Sequence, residues 1–479
     1  MKINIQEVSI HLGGRCLLEN ITITILDGEQ WAISGPSGSG KSLLAKAIAG
    51  RIFFRGSIQF RDHNNQYCSP KIELVEQQHQ FNNKSNVQQF YYQQRFNATE
   101  AEDTETVEAV LNAIGMGIDR EWINFFDLNA LLGKPLIQLS NGENKRLQLV
   151  KAMMQSPELL ILDNPFVGLD KTGRNSLQTA LDKISAQGTS ILLIAAVEDL
   201  PCSISHVAII NHGKIIACKD RSDLSLALTT HKTVELLPSP SSLQERFNVP
   251  DTAFTAAVKM NDVSIAYNGN EILSHINWTV KKGERWCVSG PNGSGKSTLL
   301  SLINADNPQA YANDIWLFDQ KRGTGESIWD IKKRIGYVSP ELHLFFDKGA
   351  TGFEAIASGL FDTIGLFRKP TPSETETIEA WMDCMMVSSI QKKRLHQMSL
   401  GEQRIVMLTR ALVKSPPMLV LDEPCQGLDR EQTVNFNQVV DRICQSTQTT
   451  LIYVSHYEQD IPSCITYHCK LYAGKRIDT

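Results

Sequence analysis

The chain has 479 residues, a net charge of −5, 21% charged residues and 42% apolar ones. Such a length accommodates roughly two to four domains with sizeable cores, and the faint negative charge advertises no nucleic-acid partner. No apolar run reaches the roughly 18 residues of a membrane span, and the opening MKINIQEVSIHLGG lacks the apolar stretch of a secretory signal, so any membrane role is expected to run through another subunit.

The first half opens with alternating apolar residues, Ile3, Ile5 and Val8, which read as one strand of an antiparallel pair. A short strand in QWAISG then enters the run Gly35, Pro36, Ser37, Gly38, Ser39, Gly40, Lys41 and Ser42, a complete G-x-x-x-x-G-K-[ST] phosphate-binding loop. The glycines let backbone N–H groups converge on phosphate oxygens, and the helix KSLLAKAIAG that follows points its positive end at the same anion. Gln77 closes the segment IELVEQ, and the Gln/Asn-rich stretch after it reads as an exposed loop or insertion. A short motif, LSNGE, then opens a helix, and the strand LLILD follows. Residues 234–255, rich in Pro and Ser, read as a linker between domains 1–233 and 256–479.

The second half repeats this order. Val258, Met260 and Val263 alternate, RWCVSG leads into Gly290, Pro291, Asn292, Gly293, Ser294, Gly295, Lys296, Ser297 and Thr298, and MSLGE and MLVLD come later. Lys41 and Lys296 lie 255 positions apart (296 − 41), a full domain, so one unit is duplicated. Strands alternating with helices predict an α/β fold with a mainly parallel sheet in each half. The ten cysteines are scattered with no C-x-x-C pair and read as reduced thiols. Cys464 and Cys469 flank His468 at a spacing that matches no zinc pattern and read as packing residues.

The order phosphate loop, LSxGE, apolar strand closing on Asp, then GLD resembles the nucleotide-binding domain of ABC ATPases, twice over, along essentially the whole chain. The resemblance implies two tandem P-loop NTPase (RecA-like) domains, each with an antiparallel β subdomain and a helical subdomain bearing the signature motif. It also implies ATP and Mg²⁺ as cofactors, and a head-to-tail sandwich in which each ATP lies between the phosphate loop of one domain and the signature of the other. Within one chain that pairing would be intramolecular and the protein a monomer.

Carried onto this sequence, the family pattern gives the second half a nearly complete set. Lys296 and Ser297 meet phosphates and Mg²⁺, Asp422 reaches the metal, and Glu423 is the general base. His456 is the switch histidine at the γ-phosphate, and Tyr267 is the aromatic stacked on adenine. The family's metal-sensing glutamine is absent: IGYVSPEL puts Pro340 there, with Glu341 next as a partial substitute. The first half keeps Lys41, Ser42, Asp163 and Gln77, but Asn164 follows Asp163, the switch position falls near Ala195, and Leu12 stands in place of Tyr267. An amide has no basic lone pair near neutral pH, so the first site is expected to hold ATP with very slow turnover. The active site would pair with the first-half signature, Ser140 and Gly142 within LSNGE, and the holding site with Ser399 and Gly401.

The segment Asn307 to Leu344 resembles the bacterial tandem ATPases of the molybdenum-transport-type and photorepair group. That resemblance implies an ATPase in the cytoplasm or peripheral to the inner face of the plasma membrane, coupled to a molybdate-like transport process through a membrane permease. The alternatives are an ABC ATPase acting on ribosomes or nucleic acid, and a regulatory ATP sensor. The short, non-basic linker and Asn164 count against the first of these.

Overall fold

The computed structural model describes residues 1–12, 15–76, 105–114, 120–136, 139, 141–169, 171–226, 238–246, 254–267, 269–455 and 457–477. Gln77 and the Gln/Asn-rich stretch, Ser140, His456 and all of 247–253 lie outside them. The described residues form two compact units, one up to residue 226 and one from 238 on.

In chain order the first unit runs β1 (Lys2–Leu12), β2 (Arg15–Ile25), β3 (Trp31–Ser34), α1 (Lys41–Ile48), β4 (Arg55–Arg61), β5 (Ile72–Val75), α2 (Val107–Asn112), α3 (Arg120–Phe125), α4 (Asn141–Met153), β6 (Leu159–Asp163), α5 (Lys171–Ala186), β7 (Ser190–Ile194), β8 (His206–Asn211) and β9 (Lys214–Asp220). Strands β2-β1-β4 make an antiparallel sheet. A second sheet, ordered β5-β6-β7-β3-β8-β9, is parallel except for its last pair. Every residue of β6 is buried, as a central parallel strand covered on both faces requires.

The second unit runs α6 (Pro240–Arg246), β10 (Ala256–Tyr267), β11 (Asn270–Lys281), β12 (Arg285–Ser289), α7 (Lys296–Ile303), β13 (Asp314–Leu317), β14 (Gln320–Lys321), α8 (Ile328–Lys333), β15 (Ile335–Val338), α9 (Pro340–Phe345), α10 (Gly352–Ala357), α11 (Pro372–Cys384), α12 (Leu400–Leu412), β16 (Met418–Asp422), α13 (Arg430–Ser446), β17 (Thr450–Val454), β18 (Tyr467–Tyr472) and β19 (Lys475–Ile477). Its sheets repeat those of the first, β11-β10-β13-β14 and β15-β16-β17-β12-β18-β19. Ala355, Ile356, Trp381, Val406 and Leu408 from the helical layer share one core with Leu419 and Leu421 of β16 and Phe436 of α13. Each unit is thus α/β, with an antiparallel sheet on one flank and helices on the other.

Two local features connect sequence to shape. The apolar residues of β1 advance by two and then three, Ile3, Ile5, Val8, because a β-bulge falls between Ile5 and Val8, with Glu7 at φ 51°. The equivalent bulge in β10 lies between Met260 and Val263, with Asp262 at φ 53°. Second, the stretch read as a linker contains α6. Leu243 is fully buried in the helical core, and Ser415 Oγ donates to Arg246 O at 2.8 Å, so this segment is part of the second unit.

Candidate functional site

In both units the phosphate loop joins the middle strand of the parallel sheet to a helix. β3 lies between β7 and β8, and β12 between β17 and β18. Gly290 sits at φ 152°, and a Cβ there would stand 2.2 Å from Leu471 O; at Gly35, φ 138°, it would stand 2.0 Å from Ile210 O. Only glycine passes that close to the neighbouring strand. Gly40 and Gly295 cap α1 and α7 in left-handed conformations, with no side chain capping either helix. The first-turn amides of Lys41, Ser42, Lys296, Ser297 and Thr298 therefore face the loop, a ready anion cradle. Lys296 Nζ donates to Gly290 O and Pro291 O, both at 2.9 Å, and Lys41 Nζ to Gly35 O at 2.8 Å and Pro36 O at 2.7 Å. Ser297 is exposed, whereas Ser39 and Ser294, each within its own loop, are buried.

The two carboxylate arrays beside these loops differ. Asp422 ends β16, buried; desolvation pushes its carboxyl well above the usual range, the neighbouring Glu341 and Glu423 carboxylates push further, and Lys296 opposes them. Asp163 ends β6 and is also raised by burial, but the Ser42 hydroxyl hydrogen-bonds to it and Lys145 and Lys41 pull it back. The Glu341 and Glu423 carboxylates thus act on Asp422, whereas lysines and a serine hydroxyl act on Asp163; among the described residues no three acidic, histidine or cysteine side chains form a metal-holding cluster in either unit. A serine hydroxyl beside a strand-end carboxylate is the hard-oxygen donor set that Mg²⁺ takes when waters and phosphate oxygens complete its shell.

Glu423 follows Asp422 at φ 42°, and its backbone N–H donates to Val454 O at 3.1 Å. Gln426 Nε2 donates to Glu423 Oε2 at 3.1 Å. Arg404 Nη2, from α12, donates to Gln426 O at 2.8 Å, with burial drawing the guanidinium down to about 10. In the first unit Asn164 takes the same backbone position, and its Nδ2 donates to Asp163 Oδ1 at 3.0 Å. Val167 stands where Gln426 stands, 259 positions earlier (426 − 167, as 423 − 164). Lys145, the counterpart of Arg404, donates to Glu76 O at 3.1 Å, and burial lowers its ammonium to about 8. Gln426, Arg404 and Lys145 were not singled out from sequence; their signal is their fixed distance from the signature serine and the strand-end aspartate.

Sheet register moves one assignment. Asp422 pairs with Val454, and Asp163 with Ile194. Counting on from these strand ends, Ala196 is the counterpart in sequence of His456, and Ala195, the neighbouring position, that of Ser455. The turn before Asp199 is one residue shorter than that before Asp460, which displaced the count made from the D-[LI]-P motif. Both residues are alanines, so the absence of a histidine there stands.

Pro340 occupies the first turn of α9, where its missing N–H is harmless, and Ser339 caps the helix by accepting from Leu342 N at 3.1 Å. Glu341 therefore projects from the first turn of a short helix, near Asp422. Two residues on, His343 Nε2 meets Gln403 Oε1 at 2.6 Å, tying α9 to α12. Ser399 caps α12 in a capping box: its Oγ accepts from Glu402 N at 3.2 Å, and Glu402 Oε2 accepts from Ser399 N at 2.6 Å. Lys393 holds Glu402 at 2.8 Å, as Lys134 holds Glu143 at 3.2 Å in the first unit. The N–H groups of Leu400 and Gly401 are the ones this cap does not use. Gly142 lies in the first turn of α4. Tyr267 ends β10, half-buried, and Asn307 Nδ2 donates to its hydroxyl at 2.8 Å.

Comparison with known proteins agrees with this geometry. The sequence pattern of the ABC transporter family matches residues 18–167 and 273–426. The chain is 34% identical over 459 residues to the ABC transporter ATP-binding protein ModF of Escherichia coli K12, covering 93% of this chain and 91% of that protein. It is 31% identical over 477 residues to the uncharacterized ABC transporter ATP-binding protein C323.04 of Schizosaccharomyces pombe, covering 96% of each. Among solved structures, the complex of the archaeal ribosomal stalk protein aP1 and the archaeal ribosome recycling factor aABCE1 aligns over 98% of this chain and 89% of that one. The TM-score is 0.56 at 16% identity, a likeness of fold. Among the described residues no helix is long and apolar enough to cross a membrane. Two phosphate loops, two strand-end aspartates and two signature helices, in one order along one chain, follow from its membership of the ABC transporter ATP-binding family, of which it carries two tandem nucleotide-binding domains.

Proposed function

We propose that the chain is an ATPase, converting ATP and water to ADP and phosphate, in which turnover belongs to the second-unit site and the first-unit site retains its nucleotide. The observation that carries this is that Glu423 stands in the second unit at the backbone position Asn164 takes in the first, each one residue beyond a buried strand-end aspartate. Lys296 and the amides at the start of α7 would hold the β- and γ-phosphates, Ser297 and Asp422 the Mg²⁺, and Tyr267 the adenine. When bound, the metal offsets charge on the phosphate oxygens. Glu423 draws a proton from the attacking water as the bond to the β–γ bridging oxygen breaks, and ADP leaves with the electron pair. His456 would contact the γ-phosphate, and Ser140 and Gly142 of the first unit would close the site. In the first site Lys41, Ser42 and Asp163 keep the phosphate and metal contacts, Gln77 stands at the sensing position, and Ser399 and Gly401 would close it. Both halves of each site come from one chain, so a monomer suffices.

Steady-state hydrolysis by two variants tests the asymmetry. Glu423→Gln is expected to lower kcat by about 10²-fold or more, as removal of a general base does, and Asn164→Ala to change it less than twofold. Equal losses in both would overturn the assignment.

We further infer that turnover serves a molybdate-like transport process through a separate membrane subunit. Identity of 34% along nearly all of ModF, itself named an ABC transporter ATP-binding protein, supports the reading. Affinity purification from detergent-solubilised membranes should recover a multi-spanning subunit whose presence changes kcat. Recovery of the chain with ribosomes, and no such subunit, would contradict it.

A further inference from the structure

We propose that Asn307 is a positioning residue for nucleotide binding: it holds the Tyr267 ring as a fixed platform for the base. The inference rests on the reading of Tyr267 as the adenine-stacking residue. Tyr267 is the last residue of β10, and its hairpin partner Asn270 begins β11. The hairpin then runs along the phosphate loop. A Cβ at Gly295 would stand 2.6 Å from Leu273 Cδ2 and 2.9 Å from Ile272 O. The ring therefore projects from a strand end beside the loop, where two side-chain torsions would let it swing.

Three amide side chains from one short segment fasten that strand end. Asn307, 1% exposed, donates through Nδ2 to the Tyr267 hydroxyl at 2.8 Å and to Ser301 Oγ at 3.2 Å, while its Oδ1 accepts from Gln309 N at 3.0 Å. Ser301, one turn into the helix that begins at Lys296, in turn donates to Thr298 O at 2.7 Å. Gln309 pairs with the backbone of Ala266 in both directions, Nε2 to Ala266 O at 2.9 Å and Ala266 N to Oε1 at 3.4 Å. Asn313 Oδ1 accepts from Ser264 N at 3.0 Å. The phosphate-loop helix and the base platform are thus joined through Ser301, Asn307 and Tyr267. A ring held in place before the nucleotide arrives loses little torsional freedom on stacking.

The first unit supplies an internal control. The offset of 255 that relates Lys296 to Lys41 relates Tyr267 to Leu12 and Asn307 to Ile52. Both members of the pair are replaced together by apolar residues. Residues 49–54, between α1 and β4, contain no Asn or Gln, whereas residues 304–313, between α7 and β13, carry Asn307, Gln309 and Asn313.

The test is the steady-state KM and kcat for ATP of the full chain with Tyr267→Ala, Tyr267→Phe, Asn307→Leu and the Tyr267→Phe/Asn307→Leu double variant. Tyr267→Ala is expected to raise KM by about fivefold. Tyr267→Phe is expected to raise it by about threefold with kcat within about twofold, as loss of one buried hydrogen bond does, and Asn307→Leu, which also gives up the bonds to Ser301 and Gln309, by at least as much. The double variant should be no worse than Asn307→Leu alone, because that substitution already removes the bond to Tyr267. A KM unchanged in Asn307→Leu while Tyr267→Ala raises it, or effects that multiply in the double variant, would overturn the proposal and leave the stacking role intact. A KM unchanged in Tyr267→Ala would overturn the stacking role and this proposal with it. Tyr267→Phe, which keeps every other contact of Asn307, carries the test should Asn307→Leu fail to fold: an unchanged KM in that variant overturns the proposal by itself.

Discussion

Glu423 and Asn164 share one backbone conformation, φ 42° and 47°, each one residue beyond the aspartate that ends its strand. This left-handed region is costly for a long side chain and tolerated by asparagine. The second unit thus keeps a glutamate where an asparagine would fit with less strain, and supports it with Gln426. Backbone strain retained at one residue of a site is a mark of function.

A stability prediction follows from that contrast. Glu423→Asn is expected to be more stable than Glu423→Gln by about 1 kcal/mol, since only asparagine relieves the left-handed backbone. Both variants lose hydrolysis. Urea unfolding followed by a probe in the second unit measures the difference; a less stable Asn variant would show that the Gln426 hydrogen bond outweighs the backbone term.

Asp422 provides a test by metal and ligand removal. Burial and the carboxylates of Glu341 and Glu423 raise its carboxyl well above the usual value. A carboxyl raised in the folded chain stays protonated there while the unfolded chain ionises. Its contribution to stability is therefore greatest at acid pH and falls as pH rises from about 4 toward the folded value. Asp422→Asn removes this cost, so its nucleotide-free melting temperature at pH 7 should exceed that of the wild type. The increment given by Mg·ATP, which grows with occupancy as binding linkage requires, should shrink in the variant. EDTA should erase it in the wild type. An Asn variant that melts lower without ligand would refute the electrostatic reading.

His343 gives the opposite sign. Burial first, then Arg404 and Lys348, press its imidazole down to about 4, against the hydrogen bond to Gln403 Oε1. The folded chain keeps it neutral while the unfolded chain takes up a proton near pH 6.5. Its contribution is complete above pH 6.5 and is lost as pH falls toward 4, by about 3 kcal/mol at most. Urea unfolding at pH 7 and pH 5 should show a smaller acid loss in His343→Gln than in the wild type. Equal losses would place the acid sensitivity elsewhere.

Much of the fold was legible because its signals are local. The glycine spacing of Gly290–Gly295 requires positive φ within six residues, and MLVLD reads as a buried strand from five letters. Even the bulge at Glu7 is written in the two-then-three spacing of Ile3, Ile5 and Val8. What escaped depends on residues far apart in the chain: Asn307 on Tyr267, His343 on Gln403, Lys145 beside Asp163. The linker reading failed for a local reason. PSPSS looks like a spacer by composition, yet Ser239 accepts from Ser242 N at 3.2 Å and Pro240 starts a helix that Leu243 anchors. The shift from Ala195 to Ala196 needed the strand register, which no single motif carries.

The central claim is that the two sites differ in turnover, one cutting ATP and the other keeping it. It is tested most directly by loading the wild-type chain with radiolabelled ATP, chasing with unlabelled ATP through many turnovers, and separating the bound nucleotide by chromatography. The account predicts label retained as intact triphosphate, near one per chain. Label recovered wholly as diphosphate, or lost at the turnover rate, would contradict it.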